Sequence, residues 1–282
     1  MILEGLVLIN KTKDVTSRHV INNLNHIFNM KRIGHTGTLD PLATGVLVVC
    51  FGKYTKLVDL ITSLDKEYIA SVKLGIKTDT GDITGNIISK KEYSHITKED
   101  IINVLNSFIG KSKQTVPSYS AVRIDGMKLY EYARENIKID LPVRDITINS
   151  IELLTFSLDT FTFKVNVSKG TYIRSLIEDI ASKLNTVGTM NNLIRTKQGK
   201  FNIEDSFTIE DIKNNNFNLL TVKDIFDYPI IDMNEELYFS IKNGKQIKNI
   251  FNIKSKVIFT YENTAIAIYE SFNDLLKIDI ML

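Results

Sequence analysis

The chain is nearly without cysteine. Of 282 residues only Cys50 carries a thiol. An internal disulfide is therefore excluded, and inside the apolar run VLVVCF the sulfur is expected to be buried and reduced. Four scattered histidines and one cysteine do not make a zinc site, so no metal is expected. No apolar run approaches the ~20 residues of a membrane span. The first such run, ILEGLVLI, carries Glu4 and lacks a basic leader. Neither signal peptide nor anchor is expected there, and the expected setting is the cytoplasm, with no membrane partner. No GxGxxG or Walker loop follows a strand-like run, which argues against a nucleotide cofactor. Asp79-Thr80-Gly81 is the tripeptide of aspartic proteases, but a second copy is missing, and with it the paired carboxylates that chemistry needs. The same segment lacks the spacing and closing glutamate of an EF-hand loop. Internal repeats and low-complexity segments are absent too.

A net charge of +2 says little, but its distribution says more. Residues 164–200 hold seven Lys/Arg against two Asp/Glu, residues 201–240 two against nine, and residues 241–256 five lysines and no acid. Two basic segments around an acidic one suit parts of a polyanion-binding surface; they equally suit solvated faces of a lysine-rich protein.

GLVLINK reads as a strand. Thr16 and Ser17 are placed to cap a helix with Val20, Ile21, Leu24, Ile27 and Phe28 on one face. Leu57, Leu60, Ile61 and Leu64 suggest a second helix. KEYIASVKLG alternates, with Tyr68, Ala70, Val72 and Leu74 on one side. TKEDIINVLNSFIG predicts a helix ended by Gly110. Residues 111–145 look like an excursion from the main sheet. Two strands follow, ITINSIELLTF and TFTFKVNVS, and then a helix in TYIRSLIEDIASKL. After Asp227-Tyr228-Pro229 the texture changes to short alternating strands, which predicts a boundary near residue 228. Strands and helices mix without a strict βαβ rhythm, so the fold class is α+β with a mixed central sheet flanked by helices.

The stretch RIGHTGTLDPLATG, residues 32–45, is the densest in polar and turn-forming groups. Asp40-Pro41 in such a loop is an ordinary turn former. The alternative is a carboxylate held for chemistry. Gly34, Gly37 and Gly45 permit backbone paths closed to other residues and close approach of a ligand. The apolar run behind them supplies a rigid base. Arg174, in the first turn of its helix, opposes the helix dipole. It has Glu178 as a local partner in the poorer order, or a carboxylate elsewhere, which a guanidinium forks onto and keeps ionised. Tyr68 is either a core ring or a stacking surface for a base.

Five segments, GHTGTLDPLATGVLVVCFGKYTKL, DKEYIASVKLGIKTDTGD, PSYSAVRIDGMKLYEYAR, SKGTYIRSLIEDI and LIRTKQGKF, occur in this order. The series resembles the bacterial tRNA pseudouridine synthase B family, from about residue 3 to 210 and more weakly to the C-terminus. The resemblance implies isomerisation of one uridine, position 55 in the T loop of tRNA, to pseudouridine. It implies Asp40 as the catalytic aspartate, Tyr68 stacked on the uracil and implicated in deprotonating C5, and Arg174 paired with the aspartate. His35 then contacts the T loop, Leu193 closes the uracil pocket, Tyr172 lines it, and Lys11 matches the lysine of the N-terminal motif. That motif usually reads Lys-Pro-x-Gly-x-Thr-Ser; here it is KTKDVTS, with Thr12 and Asp14 for the proline and glycine. The implied architecture is a pseudouridine synthase catalytic domain over residues 1–228, an RNA-gripping insertion near 111–145, and a small β-rich PUA-like domain over 229–282. Exchanging an N-glycosidic for a C-glycosidic bond needs no redox change, so no cofactor is expected. A stand-alone monomer acting on the T stem-loop, without an obligatory protein partner, is the expected form. Two other classes fit the basic segments: a tRNA-binding protein without chemistry, and a subunit of a guide-RNA-directed particle.

Overall fold

The structure, a computed structural model, describes residues 3–282; Met1 and Ile2, with which the expected catalytic domain begins, lie outside the described residues. Its frame is one nine-stranded sheet. The strands are β1 (Gly5–Lys11), β2 (Ile33–His35), β3 (Thr44–Phe51), β4 (Lys66–Leu74), β5 (Gly110–Thr115), β6 (Val143–Phe156), β7 (Thr160–Val167), β8 (Gly188–Gln198) and β9 (Phe201–Asn202). The order along the sheet is β1-β3-β8-β4-β7-β6-β5, with β2 beside β3 and β9 beside β8. The β3–β8 pairing is parallel and the others are antiparallel, so the sheet is mixed, as expected.

Alternation sets the burial. Tyr68, Ala70, Val72 and Leu74 of β4, and Phe161, Phe163, Val165 and Val167 of β7, all point into one core. The helices that cover it are α1 (Ser17–Phe28), α2 (Lys98–Asn106) and α3 (Ile173–Lys183). Each buried phenylalanine there stabilises the fold by about 1.5–3 kcal/mol. Strands β1 and β3 are buried on both sides. Val7, Ile9, Leu47, Val49 and Phe51 face the main core. Leu6, Leu8, Val46, Val48 and Cys50 face a second one, which Ile258 and Ile268 of the C-terminal sheet help to fill. That sheet has five strands: β10 (Ile230–Asp232), β11 (Ile247–Lys248), β12 (Lys256–Tyr261), β13 (Thr264–Phe272) and β14 (Leu275–Met281), in the order β10-β12-β13-β14-β11. Cys50 is fully buried, and burial pushes its thiol up to about 12.

Several local expectations shift. Thr16 caps α1, accepting from the His19 amide, but Ser17 is the first helical residue and reaches elsewhere. The helix expected around Leu57–Leu64 is a 3₁₀ stretch, Gly52–Leu57, followed by the short helix Val58–Thr62. Gly110 does not end a helix: α2 stops at Asn106, and Gly110, at φ +110°, opens β5. The excursion is narrower than 111–145. Val143 pairs with Thr115 at the base of a β5–β6 ladder, so the segment that leaves the sheet is 116–142. It contains a two-strand ribbon, Arg123–Ile124 with Met127–Lys128, and a short helix, Leu129–Arg134.

Candidate active site

The loop between β2 and β3 carries Asp40, and buried polar groups tie it down. Ser17 Oγ accepts from the Leu39 amide at 2.9 Å and donates to the Leu39 carbonyl at 3.1 Å. Lys11 Nζ donates to the carbonyls of Val15 at 2.6 Å, Thr12 at 2.9 Å and Pro41 at 3.3 Å. The Asp14 amide also reaches the Pro41 carbonyl, at 2.8 Å. Asp14 sits at φ +62°, a left-handed conformation. The loop thus keeps the backbone shape that the usual glycine of this motif allows, at a residue type that tolerates it. Leu39, Leu42 and Ala43 are buried on either side of Asp40 and fix its direction.

Gly45 is required for packing rather than for a ligand. At φ +106° a side chain there would meet the Arg195 carbonyl oxygen at 2.2 Å, where β8 runs parallel to β3. Gly37 is also in the left-handed half, at φ +146°, where a Cβ would make only an ordinary contact with the Arg195 guanidinium, at 3.5 Å. Gly34 shows neither feature, since a Cβ there would make only ordinary contacts with Val58 and Thr55.

Arg174 enters from the first turn of α3. Its Nε donates to Asp40 Oδ2 at 2.8 Å and its Nη2 to Oδ1 at 3.2 Å, a forked pair. Nη1 donates to the Thr80 carbonyl at 2.9 Å and Nη2 to the Tyr119 carbonyl at 2.8 Å. The arginine side chain is 7% exposed and the aspartate 33%. The pair therefore lies at the boundary between core and cavity. Glu178, the local alternative partner, binds Lys77 instead, at 2.9 Å. The TDTGDITG segment, without protease or EF-hand chemistry in the sequence, has a use here: the Thr80 carbonyl is one of the four acceptors holding Arg174.

Asp40, Tyr68, Tyr172, Arg174 and Leu193 all line one cavity of about 380 Å³, a size that suits a small-molecule or nucleotide site. Tyr68 on β4 and Leu193 on β8 come together because β4 and β8 are paired, with Ala70 opposite Leu193. Tyr172 precedes α3, its backbone held by Gln114 in both directions, at 2.8 and 3.0 Å. Two expected binding residues do not line the cavity. Lys11 is 1% exposed and its ammonium is spent on three carbonyls, so it is a clamp beneath the Asp40 loop rather than a group presented to a ligand. Burial pulls its pKa down to about 8, against the raising influence of Asp40. His35 is half-buried at the start of the loop, and its Nδ1 accepts from the Gly37 amide at 3.3 Å. Burial, with Arg195 and Arg18 nearby, holds its pKa below the usual histidine value, so the imidazole is neutral at pH 7.

Further polar residues line the cavity, among them Lys66, Ser120 and Arg195. Arg195, 1% exposed, donates from Nε to the Val46 carbonyl at 2.7 Å and from Nη2 to the Gly37 carbonyl at 3.2 Å, stitching both ends of the loop to β8. Lys66 donates to the carbonyls of Thr62 and Leu64, at 2.5 and 2.6 Å, and burial pulls its pKa down to about 8. A charged residue in register with core-facing apolar positions was the available signal for both: Lys66 shares the parity of Tyr68, Ala70, Val72 and Leu74, and Arg195 that of Leu193. Ser120 gave no such signal. Among the described residues no group of three or more His, Cys, Asp and Glu side chains is placed to hold a metal ion.

Comparison with known proteins gives the family. The family described as "TruB family pseudouridylate synthase (N terminal domain)" matches residues 25–173, and "tRNA pseudouridylate synthase B C-terminal domain" matches residues 174–223. A tRNA pseudouridine synthase B from Fusobacterium nucleatum subsp. nucleatum is 44% identical over 284 residues, 98% of either chain. One from Clostridium tetani is 44% identical over 252 residues, 88% of this chain and 86% of that one. Among solved structures, a Cbf5–Nop10–Gar1 complex contains a chain that superposes with a TM-score of 0.75 at 23% identity, covering 100% of this chain and 85% of that one. An H/ACA RNP bound to a substrate RNA containing 2′-deoxyuridine contains another, with a TM-score of 0.74 at 20% identity, covering 99% and 85%. These structures share the fold, and the sequence relatives fix the family: the chain belongs to the TruB family of pseudouridylate synthases.

Proposed function

We propose that the protein isomerises uridine to pseudouridine in tRNA, with position 55 of the T loop as its target. The observation that carries this reading is the Asp40 carboxylate forked by Arg174 on the wall of a cavity shared with Tyr68 and Leu193. The reaction breaks the C1′–N1 bond, turns the uracil and forms C1′–C5, while the C5 hydrogen is lost and N1 gains one. Atoms and electrons balance within the nucleotide. A base inside a folded loop must first be flipped out of its stack to reach such a cavity.

In this reading Asp40 supplies the ionised carboxylate, and Arg174 holds it ionised and aimed. Tyr68 offers its ring to the uracil and takes part in the deprotonation of C5; Leu193 and Tyr172 form the walls, and His35 meets the T loop at the entrance. Lys11 acts through backbone, by fixing the Asp40 loop. Residues 1–228 form the catalytic domain and 229–282 a PUA-like RNA-binding domain packed on the back of β1 and β3. The protein works as a monomer in the cytoplasm, without an obligatory partner. No helix among the described residues is long and apolar enough to cross a membrane.

The test is incubation with an unmodified T stem-loop transcript, followed by mapping of pseudouridine. One modified position, at the target uridine, is expected. RNA that is bound and released unchanged overturns the proposal in favour of a binding protein without chemistry.

A further inference from the structure

We propose that the hydroxyl of Ser120 holds the flipped uracil, donating a hydrogen bond to one of its carbonyl oxygens. The inference rests on the reading above that the cavity receives a uridine. Ser120 belongs to the excursion that covers the site, and it lines the same cavity as Asp40, Tyr68 and Arg174. The residue is 6% exposed, yet its Oγ has no hydrogen-bond partner in the protein. A buried hydroxyl left in that state destabilises a fold unless something else uses it. The other buried side-chain polar atoms without a partner among the described residues are Asn25 Oδ1 and Gln198 Oε1, and neither residue lines this cavity.

The backbone around Ser120 is fixed. The Tyr119 carbonyl accepts from Arg174 Nη2 at 2.8 Å. The Ser120 carbonyl accepts from the Tyr130 amide at 3.1 Å, and the Val122 carbonyl from the Leu129 amide at 2.8 Å. The hydroxyl therefore sits on a segment already bonded to the catalytic arginine. It has no base in hydrogen-bond reach, which excludes it as an activated nucleophile. What it offers is a donor.

Uracil chemistry suits that donor. The ring carries a carbonyl on each side of N3–H. The rotation that brings C5 to the place of N1 exchanges those two carbonyls across an axis through N3. A donor that meets a carbonyl oxygen before detachment meets one after reattachment, so it holds the ring without favouring substrate or product. Its weight falls on the interval between. While uracil is attached, the whole RNA anchors it; once detached, only contacts in the cavity do. Loss of the hydroxyl should therefore appear in kcat rather than in KM.

Ser120→Ala and Ser120→Cys, assayed beside wild type on the T stem-loop transcript, test this. For Ser120→Ala the expected result is kcat lower by about tenfold, KM within about twofold, and a melting temperature no lower than wild type, since the removed group bonds nothing in the protein. Ser120→Cys, a weaker donor, should fall between. A kcat for Ser120→Ala within about twofold of wild type overturns the inference, as does a loss accompanied by a lower melting temperature, which marks a structural hydroxyl. Failure of the wild type to form pseudouridine is a separate outcome, and it removes the functional reading beneath.

Discussion

The floor and the roof of the cavity are built in opposite ways. The floor is the Asp40 loop on β3, with β4 and β8 beside it. The groups that tie the loop down are bonded within the protein: Lys11 on three carbonyls, Ser17 on both backbone groups of Leu39, Arg195 on Val46 and Gly37. The roof is the 116–142 excursion, exposed or half-buried apart from Val116, Ser120 and Leu129. It touches the floor's chemistry through one bond, from Arg174 to the Tyr119 carbonyl, and it presents a hydroxyl with no partner. The difference separates two tasks. The floor fixes a charge in space, and every bond spent there reduces the freedom of one carboxylate. In the proposed reading the roof covers the flipped base, so part of its bonding capacity is left for that base.

The comparison breaks first at Asp40. Asp40→Asn keeps size and shape but removes the charge that the floor exists to place. We expect pseudouridine formation to fall by roughly 10³-fold, with tRNA binding little changed, because the loss lies in the transition state. Single-turnover mapping on the T stem-loop, paired with a filter-binding titration, measures both. Turnover within about tenfold of wild type would mean that the tied-down floor serves folding and not chemistry. Next is Lys11. Lys11→Met takes the donor from three carbonyls and is expected to cost about 3 kcal/mol at neutral pH, net of the burial it relieves. Its pH dependence is the sharper test. Burial lowers the folded pKa to about 8, against 10.5 for an ordinary lysine. Between those values the unfolded chain holds a proton that the folded chain has released, so wild-type stability rises with pH across that window and falls back as pH drops through 8. Methionine has no such titration. The advantage of wild type over the variant should therefore grow between about pH 7.5 and about pH 9.5 in denaturant unfolding. A constant difference would place the ammonium in water and undo the clamp.

These two regions were not equally legible in the sequence. Floor elements announce themselves by period and punctuation: the alternation of Tyr68, Ala70, Val72 and Leu74, the face of α1, and the glycines and proline around Asp40. A carboxylate partner for Arg174 elsewhere in the fold was legible as an arginine in an unfavourable helical position with a poor local partner, and the resemblance pointed to Asp40 as that partner. Lys11 was legible as a motif residue but not as a clamp, because three carbonyl acceptors leave no trace in side-chain identity. Ser17 looked like a helix cap for the same reason, since both roles ask for a small hydroxyl beside a helix start. The β5 strand was hidden by its composition. GKSKQT is an edge strand, largely solvent-facing, and its polar side chains carry no alternation. The roof was legible as an excursion from the main sheet, helical in KLYEYAREN and polar and irregular around Ser120. What gives Ser120 its meaning is the absence of a partner, a property of the folded neighbourhood that one residue's identity cannot carry.

The finest probe of the contrast is a matched pair of hydroxyl deletions. Ser17 Oγ exchanges two hydrogen bonds with Leu39, and both residues are buried, at 1% and 3% exposure. Ser17→Ala leaves an amide and a carbonyl unpaired in the core, which is expected to cost about 1–3 kcal/mol. For a chain of this size that is a melting-temperature drop of several degrees. In the roof, Tyr132 donates to the Ile124 carbonyl at 3.0 Å from a partly exposed position. Tyr132→Phe lets water replace the lost donor and should cost under about 1 kcal/mol. Calorimetry on the two variants reads the difference directly. Equal drops would mean that the roof is as tightly bonded as the floor, and the division of labour between them would have to be abandoned. A large drop for Ser17→Ala with a small one for Tyr132→Phe places the rigidity beneath the carboxylate.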